Sequence, residues 1–424
     1  MLLAMTISNA PSLVSPVHAE IAFPTMRFSF VPAAAPEFTV VEPTAVYSDV
    51  RGFGFDKGRT PETNSVLFSV KVPEGNYLVT VWLGSPDADS ETTIKAETRR
   101  LVIPATPVKR GQTVEKQFAV NVRNSEISPG VSVRLNDREK IPSLRHWDDK
   151  LSLEFLGKPA VQRVEIKKAD DLPTLFMAGD STMTDQAGEP WIGWGQMMPQ
   201  FFTPGIAVAN HGESGRALRS FRGDRRWDKI LSQLKPGDYV MIQFGHNDMK
   251  EKGEGVGAFT TYAASLKECI ADVRKREATP IVITPMERRR FDKDGKREDT
   301  HGDYPDAVRK VAEEEKVALI DLNKMSKPLY EAFGVEPSKK LFVFFPANTY
   351  PGQNNDLKDN THFQAFGGDQ IARCAIQSLR DANHPLTKYI REDVPAFDPS
   401  KPGDPSKYVL APSQAGAIEV PEGR

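Results

Sequence analysis

A chain of 424 residues exceeds what one ordinary hydrophobic core organises, so two domains with flanking segments are expected. Hydrophobic residues at 39% and charged residues at 26% describe a folded polypeptide and exclude disorder throughout, while 33 prolines point to many turns. Lys+Arg at 55 against Asp+Glu at 57 leaves a net charge of -2, which excludes a global field suited to nucleic acid or an anionic membrane.

The first residues, 1–19, end in Val17-His18-Ala19, a step that suits signal peptidase, although no basic segment precedes it. An export signal is expected there, and with it a secreted or periplasmic protein. No apolar run approaches the roughly 20 residues of a membrane-spanning helix, so no membrane partner is expected.

Residues 24–167 show short alternating apolar runs broken by turns. Val66-Leu67-Phe68-Ser69-Val70 is followed by Pro73-Glu74-Gly75 and then by Tyr77-Leu78-Val79-Thr80-Val81-Trp82-Leu83. Further runs at 100–103, 116–122, 151–155 and 161–166 complete the pattern of an all-β sandwich. The charged stretch 168–173, ending in Pro173, reads as a linker.

From residue 174 to 384 buried strands alternate with amphipathic helices, the mark of a parallel sheet covered on both faces. Five strands are predicted, at 174–178, 206–210, 239–244, 281–284 and 317–322. Trp227, Ile230, Leu231 and Leu234 share one helical face, as do Phe259, Tyr262, Leu266, Cys269 and Val273. Cys269 and Cys374, the two cysteines, both fall on such faces and read as core, which excludes a disulfide framework and a cysteine zinc site. Residues 385–424 carry little periodicity and are expected to form an extended tail.

Ligands of parallel α/β sheets bind beyond the carboxyl ends of the strands, so the segments after each strand are where chemistry is sought. Four stand out. Gly179-Asp180-Ser181-Thr182 puts a hydroxyl at a strand-to-helix turn. Asn210-His211-Gly212-Glu213-Ser214-Gly215-Arg216 offers a bare backbone N–H at Gly215. Phe244-Gly245-His246-Asn247-Asp248 offers an amide of the type that stabilises an oxyanion. Asp359-Asn360-Thr361-His362 sets a carboxylate three residues before an imidazole, the pairing that a general base requires. His301, preceded by Glu298 and Asp299, is the competing base; it sits in a charged loop, which favours His362.

In this order, each after a strand, the four segments resemble the blocks of SGNH (GDSL-like) hydrolases. The resemblance implies a three-layer α/β/α fold, Ser181 as nucleophile, His362 as base oriented by Asp359, and an oxyanion hole from Ser181 N–H, Gly215 N–H and the Asn247 amide. It implies no metal and no cofactor. The wording of 174–381 is closest to the rhamnogalacturonan acetylesterase family, of carbohydrate esterase family twelve type. Its marks are Gly179 to Thr182, Trp194-Gly195-Gln196, Gly215-Arg216 with Arg219-Ser220-Phe221, Phe244 to Asp248, Arg289-Arg290-Phe291-Asp292, His301-Gly302-Asp303-Tyr304 and Asp359 to Phe363. Members with a preceding sandwich resemble galactose-binding-like modules. Arg216-Ala217-Leu218-Arg219 departs from the family, which usually has a small polar residue after the first Arg.

The resemblance implies removal of acetyl groups from an acetylated acidic polysaccharide, a pectic rhamnogalacturonan. Uronate carboxylates call for bidentate arginine, so Arg216, Arg219, Arg289 and Arg290 are candidate substrate contacts. His301 and Trp194 join them, the latter as a ring on which a sugar could stack. Other esters, of acetylated xylan, peptidoglycan or lipid, are the rival substrates, and a noncatalytic glycan-binding protein is the rival class.

Overall fold

A computed structural model describes residues 23–32, 35–56, 65–141, 144–413 and 421 of the chain; the expected export signal at 1–19 lies outside them. The alternating runs of the first domain form two five-stranded sheets. One has the spatial order Thr39–Val40, Met26–Ser29, Val161–Lys168, Gly75–Leu83, Val114–Val122, and the other Phe53–Phe55, Ser65–Lys71, Lys150–Lys158, Ser90–Ala96, Arg100–Val108. Inward-facing residues of both, among them Val79 and Val81 of the first and Phe68 and Val70 of the second, share one core. Phe28 and Phe68 meet edge to face across it at 5.2 Å.

Segment 168–173 is held rather than loose: the Asn76 N–H donates to the Asp170 carboxylate at 3.0 Å, and the Ala169 N–H to the Asn76 carbonyl at 2.8 Å. Beyond it lies a five-stranded parallel sheet in the order Ala207–Asn210, Thr174–Gly179, Tyr239–Gln243, Thr279–Ile283, Ala318–Ile320. Strand alternation divides its side chains between two cores. Leu175, Met177, Met241 and Ile283 pack with Leu329, Ile371 and Leu379 of helices Leu322–Phe333 and Ala365–Asp381. Phe176, Ala178, Val240 and Ile242 pack with Leu266, Ile270 and Val308 of helices Ala263–Arg274 and Tyr304–Glu315. Truncating a fully buried member such as Met177 to Ala should cost about 2–5 kcal/mol. Both cysteines are buried and unpaired.

Phe259 leaves its expected apolar stripe and is 49% exposed. Ala258–Tyr262 is a π-helical turn, whose wider winding rotates that position off the buried face. The C-terminal segment has little regular structure, yet it packs: Tyr408 lies 5.5 Å from Phe366, and the buried Ser413 hydroxyl donates to Glu154 and accepts from Lys95 of the sandwich. Among the described residues no helix is long and apolar enough to cross a membrane.

The order of the sheet decides where chemistry can sit. The chain starts at the second position, steps to one edge, and then returns to continue the other way. The crevice at that reversal, beyond the carboxyl end of Thr174–Gly179, is the natural ligand site of such a sheet.

Candidate active site

Strand Thr174–Gly179 ends at that reversal, and the next turn carries Ser181. Gly179 has no room for a side chain, because a Cβ there would lie 2.6 Å from the Met183 sulfur and 3.0 Å from the Gln243 carbonyl. Asp180 points inward and accepts from Thr182 N at 3.0 Å, Thr182 Oγ1 at 2.8 Å and Gln243 Nε2 at 3.2 Å. Its burial raises its pKa. Asp180 therefore fixes the turn, and the Ser181 hydroxyl is left to pair with His362.

His362 Nε2 stands 2.8 Å from Ser181 Oγ, and His362 Nδ1 stands 2.8 Å from Asp359 Oδ2. An ionised carboxylate only accepts, so Nδ1 carries the proton and Nε2 presents a lone pair to the serine. Burial alone would raise the Asp359 pKa, but hydrogen bonds from the His362 ring and from the Thr361 and His362 N–H groups outweigh it, holding the carboxyl well below the usual range. Asp359 and His362 sit in strand Leu357–Phe363, which pairs antiparallel with Phe342–Phe345.

Gly215 adopts φ 75°, a left-handed conformation that favours glycine. Asn247 Nδ2 donates to the Arg216 carbonyl at 3.2 Å, which holds it next to Gly215. Asp248 locks the two loops together: its carboxylate accepts from Leu218 N at 2.8 Å and from Gly245 N at 2.9 Å. Burial pushes its pKa up to about 7. In the linear chain the one signal for this role of Asp248 is its place directly after Asn247.

The candidate substrate contacts fare unequally. Trp194 is 0% exposed, with its indole N–H donating to Gln243 at 3.0 Å, so it offers no face to a sugar. His301 is 1% exposed, with both ring nitrogens engaged: Nε2 lies 3.0 Å from His246 Nδ1 and Nδ1 lies 2.9 Å from Thr300 Oγ1. Burial lowers its pKa, so it is neutral near pH 7. Arg289 is spent on the chain itself, donating to Ser338 Oγ at 3.0 Å, Asn360 Oδ1 at 2.9 Å and the Val335 carbonyl. Its effect is to hold the residue next to Asp359. Arg290 is exposed and paired with Glu298. Arg216 donates to Asp224 at 2.6 Å, and Arg219, with 75% of its side chain exposed, pairs with Glu251 at 4.0 Å.

One buried trio, Glu139, His146 and Glu213, has the residue types and spacing to hold a metal ion. Its negative charge is already more than matched: Arg226 clamps Glu139 with two hydrogen bonds and Arg138 donates to Glu213, while the charge of buried Arg123 acts on Glu139 and His146. A divalent cation there would add to an excess of guanidinium charge, so the trio reads as a salt-bridge network joining the two domains.

The hydrogen-bonded series Ser181–His362–Asp359 thus lies at the strand-end reversal of a parallel sheet, beside the loops that carry Gly215 and Asn247. Residues 177–367 match the GDSL-like lipase/acylhydrolase family. Among its relatives, the rhamnogalacturonan acetylesterase RhgT of Bacillus subtilis is 38% identical over 218 residues, covering 51% of this chain and 93% of that protein. The probable rhamnogalacturonan acetylesterase YesY of the same organism is 32% identical over 224 residues, covering 51% and 96% respectively. A solved structure of the B. subtilis protein YxiM is 24% identical with a TM-score of 0.47, covering 85% of this chain and 99% of that one. The chain belongs to the GDSL-like lipase/acylhydrolase family and is an ester hydrolase of the SGNH class.

Proposed function

We propose that the protein is a serine acetylesterase that removes acetyl groups from an acidic, rhamnogalacturonan-type polysaccharide. The observation that carries the reading is the unbroken hydrogen-bonded series Ser181–His362–Asp359, at 2.8 Å on either side of the imidazole. His362 takes the Ser181 proton as the hydroxyl attacks the acetyl carbonyl. The oxyanion is received by the Ser181 and Gly215 N–H groups and the Asn247 amide. The His362 imidazolium, stabilised by Asp359, then gives its proton to the sugar oxygen as the C–O bond of the tetrahedral intermediate breaks, so that the sugar leaves as its free hydroxyl. Water activated by His362 attacks the acetyl-enzyme and releases acetate.

The exposed Arg219, with Arg216 nearby in sequence, is suited to a uronate carboxylate. The names of the two relatives above support the same polymer. A polymeric substrate outside the cell accords with export through residues 1–19, and a sandwich that grips glycan is a further part of this reading.

The test is acetate release from a panel of acetylated rhamnogalacturonan, xylan, peptidoglycan and acyl lipids, with wild type and Ser181→Ala. Release that is fastest from rhamnogalacturonan and abolished in Ser181→Ala supports the reading; full release by Ser181→Ala defeats it. Preference for neutral xylan would redirect the substrate assignment. Arg219→Ala should raise KM on the acidic polymer while leaving a small activated acetyl ester unaffected.

A further inference from the structure

We propose that Arg100 of the N-terminal sandwich is a positioning residue for ester cleavage, so that the sandwich is a working part of the active site and not merely a neighbouring module. The proposal rests on the reading of Ser181 as nucleophile and Gly215 as oxyanion donor.

The hairpin formed by strands Ser90–Ala96 and Arg100–Val108 turns through Glu97-Thr98-Arg99, with left-handed φ values of 54° at Glu97 and 61° at Arg99. A turn this rich in charge belongs in water. Instead Glu97, Arg99 and Arg100 are 4%, 3% and 2% exposed, Glu97 held by Ser152 of its own domain and the two arginines set against the segment that follows Ser181. Arg100 Nε donates to Asp185 Oδ2 at 2.6 Å. The other Asp185 oxygen accepts from Asn210 Nδ2 at 2.7 Å, and Asn210 Oδ1 accepts from Gly212 N at 3.1 Å. Thr184 Oγ1 closes the circuit by donating to the Gly212 carbonyl at 2.6 Å. The nucleophile turn and the loop that carries Gly215 are thus tied to each other through one carboxylate, and that carboxylate is held by Arg100.

A second thread runs in parallel. Arg99 Nη1 donates to the Gln186 carbonyl at 3.0 Å, and Gln186 Nε2 donates to the carbonyl of Ser181 at 2.6 Å. Two adjacent arginines of one domain therefore reach the backbone of the nucleophile and the loop of its oxyanion donor. Stability is a poor explanation for this construction, because a buried ion pair is commonly matched by well-packed apolar residues. Geometry is a better one. Attack by Ser181 needs its Oγ and the oxyanion donors registered to within a fraction of an ångström, and a misplacement near 1 Å costs about 100-fold in rate.

The experiment compares Arg100→Lys, Asp185→Asn and the paired Arg100→Met/Asp185→Asn, which leaves no charge buried alone, with Arg27→Ala on the sandwich as a control for general effects. Each is measured for Tm, for kcat and KM on p-nitrophenyl acetate, for the pH midpoint of kcat, and for the rate at which a fluorophosphonate labels Ser181. The expected result is folded protein with kcat and labelling about 10- to 100-fold lower, KM within about threefold and the pH midpoint unchanged, Arg100→Lys retaining more activity than the pair. Folded variants with wild-type kcat overturn the proposal, as does failure of all three to fold, since the pair would then serve folding alone. If wild-type Ser181 takes no label while Ser181→Ala remains active, it is the assignment of the nucleophile that falls.

Discussion

The Nε2 atom of His362 lies 2.8 Å from the hydroxyl of Ser181, a residue 181 positions earlier in the chain. The parallel sheet makes the meeting possible. Its first strand delivers Ser181 to the crevice, and the return strand Leu357–Phe363, placed after the last element of the sheet, brings His362 over it.

Asp359→Asn should leave the fold intact and lower kcat by about 10⁴-fold, because an amide facing Nδ1 favours the ring tautomer that places a proton on Nε2, where the serine needs a lone pair. Steady-state kinetics on an activated acetyl ester measures this; a loss under about tenfold would show that Asp359 does not set the tautomer.

Asn247→Ala should reduce kcat by about 10²- to 10³-fold with little change in KM, since its amide is needed only once the oxyanion forms. A matching rise in KM with kcat unchanged would assign Asn247 to substrate binding instead.

His301→Gln and His362→Gln separate the two candidate bases. The loss at His362 should be at least about 10⁴-fold. His301 is buried against His246, so its replacement should act through packing, lowering Tm and costing no more than about tenfold in kcat. Abolished turnover in a well-folded His301→Gln would reverse the assignment.

Glu97 makes stability depend on pH. Burial, aided by Asp148, pushes its pKa up to about 8, far above the ordinary 4.5. Between those values the unfolded chain has released a proton that the folded chain retains, so stability falls as pH rises from about 4.5 to 8. Glu97→Gln imitates the protonated form and preserves an acceptor for the Ser152 N–H, which donates to Glu97 Oε1 at 2.9 Å. The Tm of the variant relative to wild type should therefore rise steadily between pH 5 and pH 8. A difference that is flat or shrinks over that range would mean that Glu97 is ionised in the fold.

Much of this was legible in the linear chain because it depends on local periodicity. Alternation at 66–70 and 77–83 announced a sandwich, and buried strands spaced by amphipathic helices announced a parallel sheet; where such a sheet is present, the segments after its strands are where Ser181, Gly215 and Asn247 had to be sought. The three-residue spacing of Asp359 and His362 was local too. Other features depended on contacts between segments far apart, on which periodicity is silent. Trp194 and His301 are candidate substrate contacts by their local sequence, and both are core, with Gln243 and His246 packed against them. Arg289 resembled a ligand for carboxylates until Asn360 and Ser338 took its donors.

The starkest case is Arg100. In sequence it opens a strand of the first domain, and nothing within that strand distinguishes it. Its meaning comes from Asp185, 85 residues away in the other domain. The sequence by itself determined which residues could do chemistry and in what order the chain presents them, since that is chemistry of side-chain type and local spacing. Only the tertiary structure decided which of them meet, which are buried, and that a sandwich hairpin hydrogen-bonds to the segment after the serine, because burial and hydrogen-bond partnership are properties of the packed whole.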